Sequence, residues 1–112
     1  MRYLVVVTVT ARANIAAAYQ HIAERSPTNA AVWVQGLYEQ IDRLEEFPRR
    51  FGAAREQAHF AEELRQVVFK SHRIIFTVDD SSAVVRVLYV RHASMRAVGE
   101  ADDAEQSPPA DG

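Results

Sequence analysis

Between Leu64 and His92 the sequence LRQVVFKSHRIIFTVDDSSAVVRVLYVRH sets Arg65, Arg73, Arg91, His72 and His92 among β-branched and aromatic residues. Guanidinium and imidazole groups are the side chains that grip a phosphate or carboxylate and that move a proton near neutral pH. Of the 13 basic residues, all but Lys70 are arginine. Arginine makes planar, two-pronged contacts that lysine does not, although arginine-favouring codon usage gives the same bias. Other chemistries find no support. With no cysteine in the chain there is neither a disulfide framework nor a thiolate metal site. His21, His59, His72 and His92 lack metal-ligand spacing, so no metal is expected. Neither a phosphate-binding glycine loop nor a dinucleotide, zinc-protease, serine-nucleophile or calcium-loop motif is found, so no cofactor is expected.

Those arginines and histidines need a sheet to hold them. The run Leu64 to Phe69, then His72 to Val78, then Ala83 to Arg91 reads as three strands, with Asp79-Asp80-Ser81-Ser82 as the turn before the last. Upstream, the valine-rich Arg2 to Val9 is too short for an amphipathic helix and reads as a first strand. Thr10 is placed to cap a helix running to about Arg25, with Ala11, Ile15, Ala18, Tyr19 and Ile22 on one stripe. Ser26-Pro27 restarts the chain as a second helix, since serine caps and proline sits where no amide donor is needed. That helix is expected to reach about Phe47 and to stop at Pro48, burying Ala30, Trp33, Val34, Leu37, Ile41 and Leu44. Arg49 to Phe60 reads as an irregular segment with room for a short helix. The expected class is α+β, in the order β-α-α-β-β-β: an N-terminal strand, then an antiparallel helical hairpin on one face of a small, mostly antiparallel sheet. Helices on a single face leave the other open, and there the strand arginines are expected to converge.

Net charge is −2, from 13 bases and 15 acids. Five of the acids (Glu100, Asp102, Asp103, Glu105 and Asp111) lie after Val98 with no base among them, which leaves 10 acids and a body of +3. One domain over residues 1–98 and an acidic, disordered tail over 99–112 are expected. The tail either adds solubility or folds back over the arginine face. The apolar start is too short to span a bilayer and lacks the pattern of a signal peptide, so a cytoplasmic protein without membrane contact is expected.

HRIIFTVDD followed by VVRVLYVRHASMR, preceded by EELRQVVF and a capped helical hairpin, resembles the RelE/ParE superfamily of toxins from bacterial type II toxin–antitoxin (plasmid stabilisation) systems. The resemblance covers residues 1 to 98, and rests on Leu64-Arg65, Arg73-Ile74-Ile75-Phe76 and Val90-Arg91-His92 in that order. It implies a growth-inhibiting toxin held silent by a cognate antitoxin protein. Some members of the superfamily cleave messenger RNA on the ribosome, while others poison DNA gyrase without hydrolysis.

Metal-free RNA cleavage requires a base for the ribose hydroxyl, a cation for the phosphate and an acid for the leaving oxygen. The resemblance to ribosome-dependent members implies Glu56, Arg73 and His92 for these roles, with Arg65, Arg91 and Arg96 as further phosphate contacts. On that basis a metal-independent endoribonuclease (mRNA interferase) acting on ribosome and mRNA comes first. A gyrase inhibitor and an inactive antitoxin-binding domain are the alternatives. The sequence departs from other ribosome-dependent members, having no lysine-rich second strand and no tyrosine after Tyr89. Arg73 and Arg91 could also serve only as solvated sheet residues or as partners of Glu62, Glu63 or Asp79.

Overall fold

The computed structural model describes residues 2–95. Its elements run β1 (Leu4–Val7), α1 (Val9–Arg25), α2 (Pro27–Asp42), three short 3₁₀ turns, β2 (Arg65–Phe69), β3 (His72–Asp79) and β4 (Val84–His92). This is the expected order. The sheet order is β1-β4-β3-β2. β4 pairs antiparallel with β3 and parallel with β1, and β2 pairs antiparallel with β3, so the sheet is mixed. The domain boundary near Val98, the acidic tail and Arg96 lie outside the described residues.

Local chemistry accounts for the element ends. The first strand is shorter than its apolar run because Thr8, not Thr10, caps α1. Thr8 Oγ1 accepts the Ala11 amide at 3.1 Å and donates to the Val87 carbonyl at 2.9 Å, tying the start of the helix to β4. Ser26 caps α2 as expected, accepting from the Asn29 amide at 3.2 Å, with Pro27 at the first helical position. α2 ends at Asp42 rather than Phe47 and tightens into a 3₁₀ turn over Arg43–Glu45. Phe47 then takes a left-handed conformation (φ 50°), and Pro48 opens a second 3₁₀ turn instead of merely stopping the helix. The tight β2–β3 connection is made with Lys70 at φ 54°. In the β3–β4 turn, Asp79 accepts from the amides of Ser81 and Ser82.

The main core lies between the hairpin and one face of the sheet. Ala11, Ile15, Trp33, Leu37, Ile41 and Leu44 meet Val67, Ile74, Phe76, Val85, Val87 and Val90. Phe69 comes so close to α2 that a Cβ on Gly36 would lie 2.7 Å from its ring. The opposite face is not open where the arginines lie, which corrects the expectation above. The chain between Pro48 and Leu64 folds over it, and Ala54, Leu64 and Ile75 form a second small core with Phe60, Leu88 and Tyr89 beside them. The two cores set up two separate polar clusters.

Candidate functional site

On the face turned away from the helices, Arg73 and Glu56 meet. The third 3₁₀ turn, Arg55–His59, is held down by Gln57, whose side chain accepts from the Leu64 amide at 2.6 Å and donates to the Glu62 carbonyl at 3.0 Å. Glu56 is thereby driven under the loop, with its side chain wholly buried. Its carboxylate takes both prongs of the Arg73 guanidinium, Nη1 to Oε1 at 2.9 Å and Nη2 to Oε2 at 2.8 Å. Arg73 is itself 2% exposed, and its Nη1 also reaches Gln66 Oε1 at 2.9 Å. Its partners are therefore Glu56 and Gln66, not Glu62, Glu63 or Asp79.

Arg91 is the cross-strand neighbour of Arg73. Burial pulls its guanidinium below the ordinary value; Glu56 opposes that shift, and Arg73 and Arg55 add to it. Arg55 bonds the carbonyls of Ala93 and Met95 at 3.0 and 2.9 Å, fastening the end of β4 to the loop. Arg73 thus pairs with the buried carboxylate, and Arg91 lies close enough to feel its charge.

On the helix side, His92 pairs with His72. Their rings lie 5.2 Å apart and edge-on, and His72 stands 5.0 Å from Trp33. Burial, and to a lesser degree His92 and His21, push the His72 imidazole down to about 4, so it is neutral at neutral pH. His92 Nδ1 accepts from the Ser94 amide at 3.1 Å. A groove of about 360 Å³ opens here between α1 and the ends of β3 and β4. Among the described residues, no three metal-ligating side chains are grouped so as to hold a metal ion.

The residues singled out from the sequence are therefore divided. Glu56, Arg73 and Arg91 share one face, and His92 lies on the other. Arg65 pairs with Phe76 and so faces the helices. Its guanidinium is committed to the carbonyls of Phe51 (2.6 Å) and Arg49 (3.2 Å) and to Glu63 (2.9 Å).

The division comes from a bulge. Phe76 is opposite Val87 but Ile75 is opposite Tyr89, which leaves Leu88 as an extra residue in β4. An unbroken register from Phe76 and Val87 would set His92 opposite Ser71, on the same face as Arg73. The extra residue turns His92 to the other side. His72 stood among the basic side chains of the strands but was given no role, and Gln66 and Trp33 were not singled out as site residues. One signal for the pairing was present: the mirrored dipeptides His72-Arg73 and Arg91-His92, which antiparallel strands bring together as His with His and Arg with Arg.

Comparison with known proteins places the chain. No curated protein matches it in sequence. Among solved structures, it is similar to the chromosomal ParDE toxin–antitoxin system from P. aeruginosa, at 21% identity and a TM-score of 0.67 over 83% of this chain and 98% of that one. The RelBE2 toxin–antitoxin complex from Mycobacterium tuberculosis matches at 24% identity and a TM-score of 0.54, over 84% and 95% of the two chains. The archaeal RelE–RelB complex from Pyrococcus horikoshii matches at 15% identity and 0.56, over 86% and 100%. At these identities the likeness is one of fold. The family model for the ParE toxin of the type II toxin–antitoxin system parDE matches residues 5–97, and the chain therefore belongs to the ParE toxin family.

Proposed function

We propose that this toxin acts by binding DNA gyrase, with no hydrolytic step of its own, and that a cognate antitoxin protein keeps it silent. One observation carries the reading: the three groups that RNA cleavage would need do not share a site. Arg73 and Glu56 neutralise each other in a buried, two-pronged pair, and His92 lies across the sheet from both. A base bound to a guanidinium and shut away from water has no access to a ribose hydroxyl. Arg65, expected to contact phosphate, is likewise engaged with backbone carbonyls.

The surfaces left for a protein target are the hairpin and the sheet edges. They carry exposed apolar side chains at Leu4, Val9, Val32 and Val68. An antitoxin partner is supported by the family and by solved relatives titled as toxin–antitoxin complexes. No helix among the described residues is long and apolar enough to cross a membrane.

Expression without the antitoxin, with pulse labelling of DNA and protein synthesis in one culture, tests the proposal. DNA synthesis is expected to fall first, and purified toxin is expected to inhibit supercoiling by gyrase. Early loss of translation, abolished by His92→Gln, would restore mRNA cleavage and overturn the gyrase reading.

A further inference from the structure

The groove beside His92 has a polar character of its own. Asn14 Oδ1 accepts from the Val90 amide at 3.1 Å, so the end of that amide left to the groove is its NH₂ donor. His92 Nδ1 accepts from the Ser94 amide, with the Ser94 hydroxyl 2.8 Å from the same nitrogen, so the ring hydrogen that can reach the groove is the one on Nε2. His72 is 9% exposed, and its Nδ1 is buried without a hydrogen-bond partner among the described residues. His21 stands on α1 at the rim, while Val90 and Met95 supply an apolar lining. Arg91 also borders the groove, though its pairing with Arg73 places its side chain on the other face. Internal bonding has consumed the acceptor atoms of Asn14 and His92 and left their donors.

We propose that this groove is a carboxylate-binding site that takes an acidic side chain of a partner protein, with the methylenes of that side chain against Val90 and Met95. Two side-chain donors, the Asn14 amide and His92 Nε2, beside an apolar wall suit the two acceptor oxygens of a carboxylate. A phosphate dianion would call for fixed positive charge, and Arg73 is spent on Glu56 across the sheet. The inference rests on the toxin having a protein partner, but not on which partner or on gyrase inhibition.

The test uses the full chain with ¹⁵N-labelled histidine, titrated at pH 7 with N-acetylglutamate amide, N-acetylglutamine amide and inorganic phosphate. Imidazole nitrogen signals of His72 and His92 are the readout. They are expected to shift saturably with the glutamate compound, at least fivefold more tightly than with the glutamine compound or phosphate. Asn14→Asp keeps the acceptor for Val90 and replaces the donor with a negative charge, and is expected to weaken glutamate binding tenfold or more. Should Asn14→Asp fail to fold, His21→Ala at the exposed rim takes its place, with a smaller loss expected. Equal response to glutamine, preference for phosphate, or unchanged affinity in the folded variant would overturn the site. The supercoiling assay above stands or falls separately.

Discussion

Arg73 and His72 are adjacent in sequence and buried on opposite faces of the sheet, and each avoids an uncompensated charge in a different way. Arg73 keeps its charge and is matched by Glu56 at 2.8 and 2.9 Å. His72 gives its charge up, its imidazole held down to about 4 against Trp33 and His92. Guanidinium cannot be deprotonated at any physiological pH, so burying it requires an anion; imidazole is neutral after a small shift and can be buried alone. The outer face consequently depends on one anionic partner, and the helix face depends on pH.

The largest effect should come from removing that partner. Glu56→Ala leaves the buried Arg73 charge with only the neutral Gln66 amide beside it, and breaking a buried ion pair from one side costs about 3–5 kcal/mol, a large share of what holds a domain of this size together. The double variant Glu56→Leu with Arg73→Met removes both charges and is expected to lose much less than Glu56→Ala alone. Urea denaturation of the three proteins measures this. If Glu56→Ala costs under about 1 kcal/mol, the pair behaves as a surface contact and the contrast between the faces fails.

The sequence carried the framework of this contrast but not its parity. The two helices, the Ser26-Pro27 restart and the three-stranded meander were readable because caps, proline and apolar periodicity act locally. The Thr8 cap was missed because what favours Thr8 over Thr10 is a bond to Val87, distant in sequence. The burial of Glu56 was not readable from the irregular segment Arg49 to Phe60, because nothing local announces that Gln57 will pin its turn beneath Leu64. The Leu88 bulge had the greatest consequence. In Val85-Arg86-Val87-Leu88-Tyr89-Val90 both the regular and the bulged register bury apolar side chains, so alternation alone does not say which face receives His92.

The helix face makes an intermediate prediction. The unfolded chain binds a proton at His72 near the ordinary value of 6.5, and the folded chain only near 4. Between those values the unfolded state carries more protons. The stability that comes from keeping His72 neutral is therefore whole above about pH 6.5 and is lost as pH falls toward 4. Allowing for partial access of water to the ring, the loss is about 2 kcal/mol. Comparing unfolding free energies at pH 7 and pH 4.5, the parent protein should lose that much more than His72→Leu, since the carboxylates titrate in both. Equal losses would mean that His72 is solvated and that the helix face buries no titratable group.

The exposed counterpart of the Arg73–Glu56 pair is a network around Arg49. Its guanidinium bonds Asp80 at 2.8 and 3.1 Å and Glu63 at 2.9 Å, and Asp80 accepts from the Tyr3 hydroxyl at 2.7 Å. The distances match those of the buried pair, and more partners are involved. Hydrogen-bonding from Tyr3 and then Arg49 lowers the Asp80 carboxyl below its ordinary value, so the network is charged at neutral pH. Arg49 is nonetheless 40% exposed and Asp80 54%. Water and salt can replace each partner at little cost, and the side chains lose freedom by staying in place. Arg49→Ala is expected to move the urea midpoint by no more than the scatter between preparations, with no added effect of 0.5 M salt (about a 4 Å screening length). A destabilisation rivalling Glu56→Ala would show that geometry and partner number, not burial, set the worth of ion pairs in this fold.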